Sequence, residues 1–431
     1  MRRLYTWVFI LALLSASCRP SLEIPNPSAG ILAVDNFVAI GDGYTAGISN
    51  ANLSDSSFLS GWYQESQANS FPKLLSHQFA YAKTLTFRQP MLSTHGNGHL
   101  FLESMSQPLC EFTSSTPVIL TEKADQGWTE SIPTGLLGNL GFQGLSISDV
   151  TVPQHGLSSP IWPMLGGQDD ESYLQLISKR KPGLFTLFVG LEDLLSFGLS
   201  GGNMEKLPSV GEFVANFQQL LSVSMEDEES IGLIANLPDP GNFPFFKQIE
   251  PKFVNIENCR GSLNPIFITT GLGDVQEARD ADRIHLSVAP FLGTDYLGSG
   301  PFGLSGNNPV PSDWVIDAWE HEMLRQQLLA YNQAIDSIVY TLNAKAGYQR
   351  LAVVNLFQSF DALNDGILED GIDLNNSFLS GGIFSLDGIY LTPRGNAWLA
   401  NQFINTINHL TSFGARIPPL DLTAYPGIRY P

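Results

Sequence analysis

At 431 residues, with 43% hydrophobic, 11% aromatic and 15% charged side chains, the chain holds enough apolar material for a sizeable core, which excludes a disordered polymer. Its 42 acidic against 22 basic residues leave a formal charge of −20, which repels a phosphate backbone and excludes nucleic acid as a natural partner. Anionic lipid headgroups are equally poor electrostatic partners, so the acidity reads as solvated surface.

The first residues predict export. Arg2 and Arg3 precede the apolar run Leu4–Leu14, and Ser15, Ala16 and Ser17 lead directly to Cys18. That run is too short to span a bilayer and reads as a removable signal peptide over 1–17. Cysteine directly after small residues suggests a bacterial lipoprotein lipidated on Cys18, although Leu14 stands four places before it, where three is usual. The plainer alternative is cleavage near Ser17, which leaves a secreted chain. Loss of 1–17 takes Arg2 and Arg3 with it and moves the formal charge from −20 to about −22. Residues 18–33, rich in proline and serine, read as a tether. The expected place is the outer membrane or the cell surface.

Beyond the tether, short apolar runs are spaced like parallel strands: Asn36–Gly41, a weaker run at Leu136–Leu140, Leu184–Gly190, Ile231–Asn236 and Leu351–Leu356. Helical periodicity falls between them at Val210–Val223, Asp313–Ala346 and Thr392–Leu410, the last opened by the cap pair Thr392-Pro393. Segments 50–130 and 255–312, rich in Gly, Pro, Ser and Asn, read as two large loop insertions in one α/β domain over 34–415, with a tail at 416–431. Cys110 and Cys259 would pair only if the fold brings them together, which spacing does not establish. The chain has no CxxC and no HExxH, and no cofactor is expected; His95 and His99 form the only local histidine pair that suggests a metal, and exposed loop histidines are the simpler reading.

Five blocks, in order, resemble the SGNH/GDSL hydrolases and in particular their bacterial lipoprotein branch. FVAIGDGYTAG (Phe37–Gly47) is similar to the block where a strand ends in Gly-Asp-Ser. NLGFQGLSISD (Asn139–Asp149) resembles the block that lends an oxyanion-hole glycine, and FVGLEDLLSFG (Phe188–Gly198) the Gly-x-Asn-Asp block. ANLPDPGNFPFF (Ala235–Phe246) is similar to a segment of the lipoprotein branch, and LDGIYLTPRGNAWLANQFI (Leu386–Ile404) resembles the closing Asp-x-x-His block. The resemblance implies a three-layer, flavodoxin-like SGNH fold with a central parallel sheet. It also implies a serine nucleophile, a histidine base oriented by aspartate, and an asparagine donor to the oxyanion.

Those chemical positions have changed. The serine position is Gly43, the asparagine position Glu192 and the histidine position Tyr390; only Gly144 and Asp387 match. Glycine has no nucleophile, an ionised carboxylate offers no donor, and a phenol is a poor base near neutrality. The set predicts a scaffold without acyl transfer, acting as a binding or accessory subunit at the cell envelope with an envelope or outer-membrane protein, or a glycan, as partner. Trp62, Tyr63, Phe71, Trp128, Trp162 and Phe302 in and near the insertions are candidate anchor aromatics. Two other readings stand beside it: an ester or acetyl hydrolase with an unrecognised nucleophile, and a glycan hydrolase using Asp42, Glu192, Asp193 or Asp387. Against the latter, Asp42 and Asp193 are expected to hold loops through backbone hydrogen bonds.

Overall fold

Four of the apolar runs form one parallel sheet. In a computed structural model that describes residues 26–53, 60–105, 117–124, 137–153, 162–168, 170–255, 262–297 and 300–431, strands β1 (Phe37–Gly41), β2 (Leu184–Phe188), β3 (Ile231–Ala235) and β4 (Leu351–Val354) lie side by side in chain order. The first three are buried along their whole length, which explains apolar sequences without the alternation of a half-exposed strand. The run expected at Leu136–Leu140 adds a short fifth member on the other side of β1. Ala39 bridges Asn139 in parallel, and the Leu140 and Phe142 N–H groups donate to the Ala39 and Gly41 carbonyls at 2.9 Å. The chain therefore departs from β1 in both directions, and a crevice opens at the carboxyl ends of the strands at such a switch point.

Seven helices matter here: α1 (Gly43–Ala46), α2 (Phe71–Ala82), α3 (Tyr173–Ser178), α4 (Leu191–Leu199), α5 (Val210–Ser224), α6 (Ala318–Ala346) and α7 (Pro393–His409). α2 packs on α7, where Phe71 stacks on Phe403 with ring centroids 5.0 Å apart. α3, α5 and α6 pack together as a second group, with Phe213 stacked on Tyr331 at 4.1 Å. Helices in two groups around one sheet make a three-layer α/β fold. α7 begins as the sequence indicates, with the Thr392 hydroxyl accepting the Gly395 N–H at 3.0 Å.

Four expectations change. α6 starts at Ala318 rather than near Asp313. The Asp317 carboxylate accepts the Trp319 and Glu320 N–H groups, and Glu320 returns to the Asp317 N–H at 2.8 Å, a capping box that fixes the start. The residues before it form a turn and a short strand against Arg283–Ile284. The described residues of the insertions, in turn, include regular elements as well as loops. The first carries α2, and the second builds its own small core from Ile266, Ile268, Ile284, Val288, Phe302 and Val310.

Finally, Trp62, Tyr63, Phe71, Trp162 and Phe302 are buried and serve packing, not an exposed surface. Their aromatic area is worth more inside the core than at a solvated rim. Segments placed outside the domain also pack on it: Leu32 from the tether and Ile417, Leu420 and Leu422 from the tail are buried. Cys18, Cys110, Cys259, Trp128 and the expected signal peptide lie outside the described residues. No described helix is long and apolar enough to cross a membrane.

Candidate functional site

The five positions singled out by sequence meet at the carboxyl end of the sheet, three of them on turns that follow its strands and two on the loop before α7. Gly43 opens α1 directly after β1, with Asp42 as the cap whose carboxylate accepts the Tyr44 N–H at 3.2 Å. Gly144 follows the edge run, at a φ of +74° that glycine adopts without strain. Glu192 and Asp193 stand in the first turn of α4 after β2, where the positive helix end favours carboxylates. Asp387 and Tyr390 come from the loop before α7.

Glu192 fills the centre of this cluster. Its carboxylate accepts the Tyr390 hydroxyl at 2.8 Å and lies against Gly43, facing the backbone N–H groups of Gly43 and Gly144. These two N–H groups and the neighbouring side-chain position are where acyl transfer would need its oxyanion donors. A carboxylate occupies them instead. Any side chain at position 43 would meet the same atoms: a Cβ there would collide with Glu192 Oε1 and come within 2.9 Å of the Tyr390 hydroxyl oxygen. Gly43, Glu192 and Tyr390 are thus packed against one another.

The remaining polar groups are engaged structurally. Asp387 uses both oxygens twice: one accepts the Ala51 N–H at 2.7 Å and the Ser385 hydroxyl at 2.8 Å, the other the Ile389 N–H at 2.8 Å and the Tyr390 N–H at 2.7 Å. It has no oxygen left to orient a base. Asp193 accepts the Ser146 hydroxyl and the Ile147 N–H at 3.0 Å, tying the Gly144 loop to α4. Tyr44 packs beneath the site and donates to the Ile389 carbonyl at 2.6 Å. The backbone roles expected of Asp42 and Asp193 are the ones observed.

Burial dominates the electrostatics. It raises the Glu192, Asp387 and Asp42 carboxyls above their ordinary range, with the Glu192 charge adding to the rise at Asp42, and it takes Asp193 to about 7. Burial and the adjacent Glu192 carboxylate push the Tyr390 phenol far upward, so it stays protonated and acts as a donor rather than a base. The three ion pairs among the described residues, Lys83–Asp35, Lys179–Glu171 and Arg429–Glu65, are all at the surface and bring no cation here.

His95 and His99 are near each other but are not part of this cluster. Their rings are stacked with centroids 6.0 Å apart, and Tyr63 stacks on His99 at 4.1 Å. Among the described residues no group of three or more His, Cys, Asp or Glu is placed to hold a metal ion. A groove of about 1060 Å³ runs along β4 between α6 and α7 and shares no residue with the five site positions. What sequence reading missed is the Asn50 turn: its N–H donates to Ser385 Oγ at 2.9 Å and its side chain accepts the Leu386 N–H at 3.0 Å, locking the Asp387 loop. An asparagine before a small residue was the only trace of it.

The chain matches no family model and no curated protein. Solved structures similar to it include variants of the acetyl-xylooligosaccharide esterase Axe2 of Geobacillus stearothermophilus. An arginine-to-alanine variant is 10% identical over 63% of this chain and 71% of its own, with a TM-score of 0.29. Two tryptophan-to-isoleucine variants are each 11% identical with the same TM-score of 0.29; one covers 63% of this chain and 71% of its own, the other, an acetyl xylan esterase by description, 65% and 74%.

Proposed function

We propose that this chain is an SGNH/GDSL-type hydrolase fold that has given up acyl transfer. It works by binding, as an accessory subunit at the bacterial cell envelope, held through lipid on Cys18, with an envelope or outer-membrane protein or a glycan as its partner. The observation that carries this reading is the filled site: Glu192 and Tyr390, hydrogen-bonded to each other, occupy the space a nucleophile at position 43 would need, and the Glu192 carboxylate stands where an oxyanion would have to be stabilised. Loss of the nucleophile alone costs several orders of magnitude in rate, and here a carboxylate stands beside the remaining donors as well.

Two features support a binding role. The ribbon His99–Met105 and Pro117–Glu122 carries Leu100, Phe101, Ile119 and Leu120, which join neither hydrophobic core and are half-buried or exposed. Apolar side chains left outside the core are contact material. Ser28, moreover, pairs with Arg416 beyond the far end of α7, about 25 Å from the site end at 1.5 Å per residue. A tether leaving there would hold the site face away from its anchor.

A serine-directed fluorophosphonate probe tests the reading. The purified protein is expected to stay unlabelled; labelling that disappears on replacing one serine would establish an active hydrolase. Gentle detergent extraction from native membranes should recover a stable envelope partner, and repeated recovery of the chain alone would count against the accessory role.

A further inference from the structure

The sheet stops at β4, and among the described residues only β3 pairs with it. The Arg350 carbonyl accepts the Gly232 N–H at 2.9 Å, and the Val354 carbonyl accepts the Asn236 N–H at 3.2 Å. A parallel ladder uses alternate residues of each strand. Leu351 and Val353 therefore turn their N–H and C=O groups away from β3, into the groove between α6 and α7. At Leu351 the chain supplies the missing neighbour itself. Asn343, in α6, accepts the Leu351 N–H at 2.9 Å and donates to its carbonyl at 2.9 Å. Val353 has no such partner among the described residues. The strand, Leu-Ala-Val-Val, also carries none of the lysines or prolines that commonly blunt an edge.

The groove walls indicate what would cover this edge. Trp398, in α7, lines the groove and is 1% exposed, yet its indole N–H has no partner among the described residues. A buried donor left so is costly until an acceptor reaches it. Tyr340 of α6 and Leu368 of the hairpin Ile367–Leu374 line the groove and stay largely exposed. Asp336 and Glu369 add two carboxylates, and no lysine or arginine is among the lining residues. Neither carboxylate belongs to an ion pair among the described residues. Burial raises both above the ordinary carboxyl range, and neighbouring Asp370 adds to the rise at Glu369.

We propose that the β4 edge is a strand-addition site for a partner protein, which lays an extended segment bearing lysine or arginine at alternate positions between α6 and α7. Its backbone pairs with Val353, one of its carbonyls takes the Trp398 N–H, and its cations meet Asp336 and Glu369. Main-chain pairing calls for extended polypeptide, and the acidic walls select its charge. A second copy of a chain with a net charge of −20 brings the wrong sign. The proposal rests on the reading of this chain as a binding subunit, and not on the filled site.

The probe is a dye-labelled, end-capped hexapeptide of alternating lysine and valine, titrated into the purified protein and followed by anisotropy. It is expected to bind at least about tenfold more tightly than its glutamate–valine counterpart and to slow amide exchange at Val353, read by NMR. Val353→Pro removes an N–H that β3 does not use, so Tm should hold while binding weakens about tenfold. Trp398→Phe should weaken binding severalfold, and Asp336→Asn with Glu369→Gln should abolish the preference for the basic peptide. The same peptide N-methylated on every residue keeps its charge and loses its main-chain donors. It should not bind, which keeps the test decisive should Val353→Pro fail to fold.

No binding of the basic peptide, equal binding of its N-methylated form, or an unprotected Val353 amide in the complex overturns the proposal. Protection of Val353 already present in the dilute, free protein would mean that a segment of this chain covers the edge. Protection that grows with protein concentration would mean a second copy, and either result overturns it. A serine labelled by fluorophosphonate, or recovery of the chain alone from membranes, would remove the reading above and leave peptide binding intact, so the two failures are distinguishable.

Discussion

Serine placed back at position 43 meets Glu192 and Tyr390, not an empty pocket. Gly43→Ser is therefore expected to destabilise the protein by about 1–3 kcal/mol, as overpacking of a filled interior does. Combined with Glu192→Asn and Tyr390→His, the same serine should recover most of that loss, because substitutions in contact are non-additive. Denaturant midpoints of the single and triple variants check this. The buried carboxyls carry a second consequence. Asp193, at about 7 in the folded protein, binds its proton more tightly than in the unfolded chain, so its contribution is fully present below the unfolded value near 4 and is lost as pH rises toward 7. Asp42, Glu192 and Asp387 are raised in the same sense. Stability should fall between pH 4 and 7, and Asp193→Asn should flatten that fall, measured as Tm against pH. The residue types of the site were legible in the sequence, because the glycines and aspartates keep the spacing of the blocks. That Gly43, Glu192 and Tyr390 touch was not, because they come from three segments that only the sheet brings together.

Elements were legible where one rule governed them. β1, β2 and β3 are apolar on both faces because both faces are covered, and α7 shows its cap, its first-turn proline and its periodicity at once. α6 was read too long at its start, because Trp314 and Ile316 fit a helical stripe while serving the second core and a short strand. The capping box at Asp317 overrides that periodicity. Asp317→Ala is expected to cost about 1–2 kcal/mol, since it removes the N-cap. It also frees the Gly271 N–H, which the same carboxylate accepts at 3.1 Å and which ties the second insertion to α6. Hydrogen exchange of residues 267–277 should rise in that variant, and unchanged protection there would sever the link between cap and insertion. The short strands and separate core of the second insertion were not legible, because they follow no single period.

At the scale of the molecule, a three-layer sheet-and-helix body brings its strand ends to a crevice and then fills that crevice with its own side chains. The hydrolases that the sequence resembles would carry a nucleophile on the turn after β1, a donor after the edge run and another at the start of α4. In this chain Glu192, at the start of α4, lies against Gly43 and accepts the Tyr390 hydroxyl at 2.8 Å instead of leaving the space open to a substrate. The ribbon of His99–Met105 and Pro117–Glu122 keeps Leu100, Phe101, Ile119 and Leu120 outside both cores. Release of p-nitrophenolate from p-nitrophenyl acetate tests the central claim most directly. The filled site predicts no burst and no saturable rate above the buffer for the unsubstituted protein. A burst of about one equivalent per chain, followed by steady turnover, would show an acyl-enzyme and contradict it.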